Sequence, residues 1–326
     1  MPQQDDVRRI YTTVEEEFQA VNECIMEQLH SDVSLVEKIG HYIIDAGGKR
    51  LRPLLVLLSA GACQYQGTQH IPLATIIEFL HTATLLHDDV VDSSDLRRGR
   101  STANARWGNA PSVLVGDFLY SRAFQMMVNI GQLDVMNILA NATNVIAEGE
   151  VMQLMNVRNP NITEAQYMDV IRSKTAMLFE ASTHTAALLA GVPEEQVQAL
   201  KDYGNHLGLA FQLVDDLLDY TGDAEAMGKN VGDDLAEGKP TLPLIYTMTH
   251  GTPEQAKLVR DAIRSSGLDV LDEILVTVSA CGALEYTEQC AQKHAQKAID
   301  AISILPESPQ CTAMIELARL SVNRTT

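Results

Sequence analysis

Aromatic residues, prolines and basic residues are all scarce in this sequence, and each scarcity excludes something. Only 5% of the residues are aromatic, and β-branched residues rarely alternate with polar ones, so the pattern does not favour a β-sheet protein. The 11 prolines leave long stretches without any, namely 112–159, 161–192, 194–239 and 254–305. Because proline is excluded from helix interiors, long helices can run through these stretches. The composition predicts a nearly all-α protein.

The charge balance and the cysteines exclude two further classes. Lysine and arginine total 24 against 43 acidic residues, which gives a formal net charge of −19. Nucleic-acid binding relies on basic patches, so no nucleic-acid partner is predicted, and solubility accounts for most of the acidic excess. The five cysteines are widely spaced and contain no Cys-x-x-Cys pair. They indicate a reducing compartment rather than a disulfide framework.

The sequence predicts no targeting segment, no transmembrane segment and no linker between domains. The longest apolar run, 53–63, is too short to span a bilayer. Residues 1–9 are polar and charged, unlike a signal peptide, so we expect a cytoplasmic protein without a transmembrane segment. No stretch rich in glycine, serine or proline divides the chain, and a single domain over 1–326 is predicted.

Apolar periodicity predicts a succession of helices. Residues 5–45 are expected to form a helix pair broken near 30–32, with Ser31 or Asp32 as the cap of the second helix. A polar loop is expected over 221–240. The remaining predicted helices are 54–65, 72–92, 111–130, 133–157, 163–190, 194–220, 241–250, 253–266, 268–280, 282–302 and 308–322.

Two acidic clusters with the same Asp-Asp-x-x-Asp spacing each follow an apolar helical run. They are Asp88, Asp89 and Asp92, and then Asp215, Asp216 and Asp219. Residues i and i+4 share a helix face, so the outer carboxylates of each cluster repel one another at a cost of about 0.2–0.5 kcal/mol. Carboxylate oxygens suit Mg²⁺ together with substrate phosphates. One such cluster is typical of a solvated acidic patch, whereas two in the same apolar setting favour a metal site.

Cations surround these carboxylates in the sequence. Lys49, Arg50 and Arg52 follow the pair Gly47-Gly48, a pattern that suits phosphate oxygens as well as an ordinary charged surface turn. A nucleotide P-loop is excluded, because Ile43 replaces its first glycine and Arg50 its Ser or Thr.

A second pair of cations, Arg97 and Arg98, follows Asp92 closely. Cations next to carboxylates predict a site for a metal-bound anion such as a diphosphate, which divalent ions would bridge to the acidic clusters across a helical cleft. The sequence contains neither a Ser-His-Asp pattern nor a GxSxG elbow. The arrangement is therefore suited to removing a diphosphate from carbon, which leaves a carbocation in an apolar pocket.

Five motifs, in order along the chain, resemble those of the trans-type (E-) polyprenyl diphosphate synthases, and within that family the bacterial enzymes that form octaprenyl chains. The resemblance covers the chain from end to end. The motifs are Gly47–Pro53, Leu86–Asp92 with Arg97-Arg98-Gly99 after it, Lys174-Thr175, Phe211–Asp219, and Gly228–Leu235 with Lys239 downstream. The resemblance implies an all-α helical bundle of the isoprenoid synthase type with a central cleft or tunnel.

The resemblance also implies residue roles. Asp88 and Asp92 would ligate Mg²⁺ with Asp89 in support, and Asp215 would ligate a further ion with Asp216 and Asp219 in support, about three ions in all. The allylic diphosphate would be held by Arg97, Lys174, Lys229 and Lys239. Isopentenyl diphosphate would be held by Lys49, Arg52, His81 and Arg98. Thr175 and Gln212 would present oxygens to the allylic cation.

For His81, a core role is the alternative to a site role. It lies two turns before Asp88 on the same helix face, which favours the site.

Chain elongation with isopentenyl diphosphate, starting from farnesyl diphosphate, is the expected reaction. Ala83 and Thr84 lie about one turn before Asp88, where the family's short-chain enzymes carry bulky aromatic residues. Small residues there favour a long product, octaprenyl diphosphate for a quinone side chain, although Ala83 would also serve as an ordinary helix-packing residue. A homodimer is implied, as is transient membrane contact during product release.

Four alternatives remain open. They are a farnesyl or geranylgeranyl synthase, a solanesyl synthase, a terpene cyclase and a non-catalytic helical subunit.

Overall fold

The structure, a computed structural model, describes residues 2–97, 99–222 and 231–324. Within them the chain is almost entirely helical, and the sheet is limited to a short antiparallel hairpin that pairs Leu96 with Ser101 and Arg97 with Arg100. The all-α prediction is confirmed. Arg98 and Lys229, both predicted site residues, lie outside the described residues.

The elements follow one another in this order. The first are α1 (Pro2–Thr12), α2 (Glu15–Gln28), α3 (Ser34–Asp45), α4 (Leu51–Ala62), α5 (His70–Val91), β1 (Leu96–Arg97), β2 (Arg100–Ser101), α6 (Ala103–Trp107), α7 (Asn109–Ile130) and α8 (Leu133–Asn156). The next are α9 (Glu164–Ile171), a π-helical turn (Arg172–Ala176), α10 (Met177–Ala190), α11 (Glu194–Thr221), α12 (Asp233–Ala236), α13 (Leu242–His250), α14 (Pro253–Ser265), α15 (Leu271–Ala280), α16 (Ala283–Ala301) and α17 (Pro309–Asn323). Short 3₁₀ turns occupy Leu268–Val270 and Ile302–Ile304.

Most predicted helices from residue 54 onward are found with ends shifted by only a few residues, but the one predicted over 163–190 is interrupted by the π turn. Helix α6 was not predicted, and α12 lies in the stretch predicted as a polar loop. The start of the chain also differs. The stretch predicted as one helix before residue 30 is two helices, α1 and α2. The predicted cap of α3 was wrong, because Val33 occupies the cap position and makes no side-chain cap bond. The Ser31 hydroxyl instead accepts from the Val33 N–H at 3.2 Å, which closes a local turn just before the helix.

The chain divides into two compact units. The first comprises Met1–Thr143, Leu178–Gly204 and Ala301–Leu317, and the second comprises Asn144–Met177, Asn205–Asp300 and Ala318–Thr326. The single domain over 1–326 stays a prediction. Each unit has its own buried apolar side chains and is described by itself below.

In the first unit, α5 packs most extensively against α7 and then against α4. After Arg52, helix α4 is apolar on every face except for Ser59, and its residues 53–60 are all buried, as expected for a helix surrounded by others. Helix α5 is buried over most of its length, and the first acidic cluster lies at its carboxyl end. This core holds the first acidic cluster on a rigid support.

In the second unit, one apolar cluster joins α9, the later turns of α11, and helices α13 to α16. Two of these helices begin with complete capping boxes, formed by Thr163 with Gln166 in α9 and by Thr252 with Gln255 in α14. Each box satisfies backbone N–H groups that the first helical turn leaves without partners. The box at Thr163 fixes where α9 starts, and so the register of the π turn that follows it.

Across the described part of the chain, no helix combines the length and apolar character needed to cross a membrane.

Candidate active site

The first acidic cluster lies where α5 ends. Asp88 and Asp89 are in the last turn of the helix, and Asp92 is its C-cap residue. Asp88 and Asp92 are partly exposed, whereas Asp89 has no exposed surface. Two carboxylates on one face are therefore accessible, and the third points into the protein.

Asp89 is held by the hairpin that follows. Arg97, on β1, donates from Nε at 2.9 Å and from Nη2 at 2.6 Å to Asp89 Oδ1. Asn104 Nδ2 donates to the Asp89 carbonyl at 3.1 Å. A buried carboxylate needs such a charged donor to offset its desolvation. Asp89 thus anchors the loop that carries Arg97. Arg97 was predicted to bind diphosphate, but two of its three guanidinium nitrogens donate to Asp89.

Two residues predicted for the isopentenyl diphosphate site meet in the first unit. Arg52, in the first turn of α4, donates from Nη1 to His81 Nε2 at 3.2 Å. A guanidinium has only donors, so His81 accepts with Nε2 and carries its proton on Nδ1. The Arg52 guanidinium also lies 4.5 Å from the centre of the Phe179 ring, a favourable cation–π arrangement. These contacts hold one face and one edge of the guanidinium.

The chain-length candidates lie one turn before Asp88 on α5. Ala83 is fully buried. Thr84 is partly exposed, and its hydroxyl donates to the His81 carbonyl at 2.7 Å. Both side chains are small, and a larger one at Ala83 would enter space that the neighbouring helices now border.

The second acidic cluster lies in the last turns of α11. The Asp215 side chain is 40% exposed, and its Oδ1 accepts from Arg324 Nη2 at 2.6 Å. The same nitrogen donates to the Phe211 carbonyl at 2.7 Å, and the guanidinium stacks 3.9 Å above the Phe211 ring. A cation therefore already neighbours the exposed carboxylate of this cluster.

The other two carboxylates of the second cluster are buried. Asp216 accepts from Tyr167 Oη at 2.5 Å and from Gln212 Nε2 at 2.7 Å. Burial, and next the charge of Asp234, raise the pKa of Asp216 well above its ordinary value. Asp219, with no exposed surface, accepts from the Asp234 N–H at 3.3 Å. Both oxygens of Asp216 are occupied, so its structural effect is to orient Gln212 and Tyr167.

Lys174 and Thr175 belong to the π turn between α9 and α10. The turn closes with a bond from the Met177 N–H to the Arg172 carbonyl, five residues back, and such turns are frequent at functional sites. Lys174 Nζ donates to Glu150 Oε2 at 2.7 Å and to Gln153 Oε1 at 2.8 Å. Its ammonium group is thereby fixed by two residues of α8.

A hydrogen-bonded chain connects the π turn to the second cluster. Thr175 Oγ1 donates to Gln212 Oε1 at 2.8 Å, and the Gln212 amide donates in turn to Asp216. The amide oxygen of Gln212 therefore faces Thr175, and its amide nitrogen faces Asp216. The predicted pair Thr175 and Gln212 is thus in contact, and the orientation of its oxygens is determined.

A cavity of about 160 Å³ opens beside this chain within the second unit. It has room for several waters or a polar ligand group. The predicted residue Lys239 lies here and pairs with Glu237 Oε2 at 2.5 Å. The cavity is lined by Gln153, Asn156, Ile162, Tyr167, Val170, Ile171, Lys174, Thr175, Gln212, Asp216, Asp234, Lys239, Pro240 and Thr241.

The π turn approaches α8 closely at Gly149. A Cβ atom there would lie 2.7 Å from the backbone nitrogen of Lys174 and 2.9 Å from the Cβ atom of Ser173. No side chain fits at these distances, so only glycine lets the two backbones meet. This contact brings Glu150 within reach of the Lys174 ammonium.

Replacing Gly149 by Ala is expected to lower kcat for chain elongation about tenfold and to reduce the free energy of unfolding by about 1–3 kcal/mol, since the added methyl must push the π turn away. Steady-state kinetics and urea denaturation measure the two effects. Glu148→Ala, at an exposed position of the same helix, is the matched control and should change neither. Normal kinetics in Gly149→Ala would show that the spacing between α8 and the π turn does not matter for activity.

Several residues that contact the predicted ones were not predicted from the sequence. Asp234 lies within the motif Gly228–Leu235 but has no predicted role, although it borders both Asp216 and Asp219. No pattern in the sequence singles out Tyr167 or Arg324. The acceptors of Lys174, Glu150 and Gln153, lie three residues apart on one helix face, a spacing that would have suggested a polar pair facing the same partner.

The fit of the acidic clusters to Mg²⁺ depends on which oxygens are accessible. Asp88 and Asp92 are partly exposed and the Asp215 side chain is 40% exposed, whereas Asp89, Asp216 and Asp219 are buried. In residues 2–97, 99–222 and 231–324, no three His, Cys, Asp or Glu side chains are grouped closely enough to hold an ion by themselves. Mg²⁺ usually takes one or two carboxylates and fills its other positions with waters and substrate phosphates. The donor set therefore fits this ion.

Comparison with known proteins identifies the family. The model of the polyprenyl synthetase family matches residues 33–278. The chain belongs to the polyprenyl synthetase family. It is 55% identical to octaprenyl diphosphate synthase of Escherichia coli (strain K12) over 320 residues, which cover 98% of this chain and 99% of that one.

Other members of the polyprenyl synthetase family agree in sequence and in structure. Octaprenyl diphosphate synthase of Haemophilus influenzae is 54% identical over 327 residues, with 99% of each chain covered. A polyprenyl synthase from Caulobacter crescentus CB15, crystallised with calcium and isoprenyl diphosphate, matches with a TM-score of 0.95 at 43% identity over 98% of each chain. The prediction of an isoprenoid synthase type of fold is confirmed. The residue roles assigned to this polyprenyl synthetase stay predictions.

Proposed function

We propose that this chain is a Mg²⁺-dependent prenyltransferase that extends farnesyl diphosphate with successive isopentenyl diphosphates to all-trans-octaprenyl diphosphate. The observation that carries the proposal is its 55% identity, over nearly the whole of both chains, to the Escherichia coli octaprenyl diphosphate synthase. The octaprenyl chain would serve as the side chain of a quinone. The accessible carboxylates and the lysine-lined cavity are consistent with a diphosphate substrate.

The carboxylates would hold the divalent ions. Asp88 and Asp92 in the first unit and Asp215 in the second are proposed as ligands, because their side chains are the partly exposed ones of the two clusters. When bound, Mg²⁺ would neutralise negative charge on the departing diphosphate. Asp89 and Asp216 are proposed as supports, which fix Arg97 and Gln212 by the bonds described above.

The cations would bind the two diphosphates. Arg97, Lys174, Lys229 and Lys239 are proposed for the allylic diphosphate, and Lys49, Arg52, His81 and Arg98 for isopentenyl diphosphate. The ammonium of Lys174 lies on Glu150, so its positive charge would be paired with an anion both before and after a diphosphate binds.

The polar chain at the π turn would stabilise the cation that forms. Thr175 and Gln212 turn oxygen atoms toward one another, and oxygen dipoles held in advance stabilise developing positive charge without reorganisation. The double bond of isopentenyl diphosphate then attacks the allylic carbon, and the proton lost from the new chain is taken up by the departing diphosphate. The same residues repeat the reaction on the lengthened product.

Two further assignments belong to the proposal. A homodimer in the cytoplasm is proposed, since α7 exposes the apolar side chains of Leu114 and Val128 by 65% and 63%. Exposed apolar side chains of this kind are typical of surfaces that partners cover. Membrane contact would be brief and limited to release of the apolar product.

Product analysis tests the proposal. Purified protein with Mg²⁺, farnesyl diphosphate and radiolabelled isopentenyl diphosphate should yield octaprenyl diphosphate as the main labelled product by thin-layer chromatography after dephosphorylation. Geranylgeranyl or solanesyl products would support the alternative synthases. Hydrocarbon released from farnesyl diphosphate alone would indicate a cyclase, and no product in either assay would indicate a non-catalytic subunit.

A further inference from the structure

The turn before α4 has an unusual backbone. Gly47, Gly48 and Arg50 have φ angles of 74°, 134° and 43°. Glycine adopts such angles readily, but a left-handed conformation is unfavourable for an L side chain like that of Arg50. Contacts elsewhere in the protein must therefore hold Arg50 in place.

The Arg50 side chain is held by two helices. Its Nη1 donates to Asn22 Oδ1 on α2, and its Nη2 donates to the Ile44 carbonyl on α3 at 3.4 Å. Arg50 thus points back toward the amino-terminal helices and away from a role in binding substrate. Its neighbours Lys49 and Arg52 remain as the cations proposed for isopentenyl diphosphate.

A second contact holds the backbone next to Arg50. Tyr11, on α1, donates its hydroxyl to the Lys49 carbonyl. Its ring packs edge-to-face on Phe18 of α2, with centroids 5.2 Å apart. Burial, and next the charge of Glu78, raise the pKa of Tyr11 to about 12, so the hydroxyl remains a donor at neutral pH. The carbonyl it binds belongs to the residue whose ammonium is proposed to contact the diphosphate.

From these contacts we infer that Tyr11 and Asn22 are positioning residues for isopentenyl diphosphate, acting through the turn Gly47–Arg52. Tyr11 fixes the Lys49 peptide, and Asn22 fixes Arg50 in its left-handed conformation. Together they determine where the turn leaves Lys49 and where α4 begins, and so where Arg52 lies. The inference rests on the proposed function, and it gives the amino-terminal helices a part in substrate affinity.

The test compares the two substrates in the full-length protein. Tyr11→Phe, which keeps the ring contact with Phe18, and Asn22→Leu, which removes the acceptor at similar size, should each raise KM for isopentenyl diphosphate about tenfold, as expected for loss of a single interaction of this strength. KM for farnesyl diphosphate and kcat at saturation should stay within about twofold. Asn22→Asp, which retains the acceptor oxygen, should restore the wild-type KM. Tyr65→Phe, elsewhere in the same unit, is the control.

A binding measurement separates this inference from the proposed function. Isothermal titration of isopentenyl diphosphate alone into wild-type protein should show binding, with Kd about tenfold weaker in Tyr11→Phe and Asn22→Leu. Equal changes in KM for both substrates, or lower thermal midpoints with no change in Kd, would mean that the two residues only stabilise the fold and would overturn the inference. If the variants bind isopentenyl diphosphate with the wild-type affinity, the inference fails. If the wild-type protein makes a product other than octaprenyl diphosphate, the octaprenyl assignment fails, and the two failures are read from separate measurements.

Discussion

Replacing Asp88 by Asn is expected to lower kcat for chain elongation on the order of 10³-fold. The side chain is partly exposed at the end of α5, and an amide oxygen carries no net charge with which to hold Mg²⁺. Because the amide has the same shape as the carboxyl group, the fold should be unaffected. Steady-state kinetics over a range of Mg²⁺ concentrations should show half-maximal activity shifted to higher Mg²⁺.

Two other acidic residues serve as comparisons for Asp88. Asp134→Asn removes an equal charge from an exposed position in the first turn of α8 and should leave kcat within about twofold. Asp89→Asn should act differently, since it weakens a buried bond to Arg97 and so lowers the free energy of unfolding by about 1–3 kcal/mol. If Asp88→Asn kept more than a tenth of the wild-type kcat at low Mg²⁺, the carboxylate would not be a metal ligand.

Replacing Ala83 by Phe is expected to shorten the main product from octaprenyl to farnesyl or geranylgeranyl diphosphate. Ala83 is fully buried about one turn before Asp88, where a growing chain that starts at the metal-bound diphosphate would pass. A phenyl ring there would block the chain after few additions. Chromatography of the dephosphorylated products, with geranyl diphosphate as primer, measures the change directly.

The unfolding free energy shows whether Ala83 borders open space. A ring forced into a fully packed core costs about 1–3 kcal/mol, whereas a ring that enters a product channel costs less. Ala83→Ser, with nearly the same volume, is the matched control and should keep the wild-type product length. An unchanged product in Ala83→Phe, with a clear loss of stability, would assign Ala83 to helix packing alone.

The sequence predicted those features that depend on local pattern. Apolar periodicity and the proline gaps gave the course of most helices, because a helix must cover an apolar face and exclude proline from its interior. The acidic clusters were placed correctly at helix ends for the same reason. The break at Thr13-Val14 was missed, since the apolar residues on either side continue one helical pattern.

Features that depend on contacts between distant segments were beyond sequence reasoning. The residues Arg172–Ala176 would suit an ordinary helix, and their π turn shows only in the folded chain. Tyr167 and Arg324 meet the second acidic cluster from positions that share no spacing with it. The structure also separates the exposed carboxylates from the buried ones, and tertiary packing decides that separation. For the six acids, the position at the end of a helix was predictable from the sequence, whereas the accessibility of each side chain was not.

The π turn also sets the rotation of α9 about its own axis. Each residue of an α-helix advances about 100° around the axis, so deleting one residue from 172–176 would restore regular helix and turn α9 by roughly that angle. Tyr167, which precedes the turn, would then rotate away from Asp216 and lose its hydrogen bond, while Thr175 would stay beside Gln212. The extra residue of the π turn therefore corrects the rotation along the continuous helix, so that Tyr167 and Thr175 both face α11.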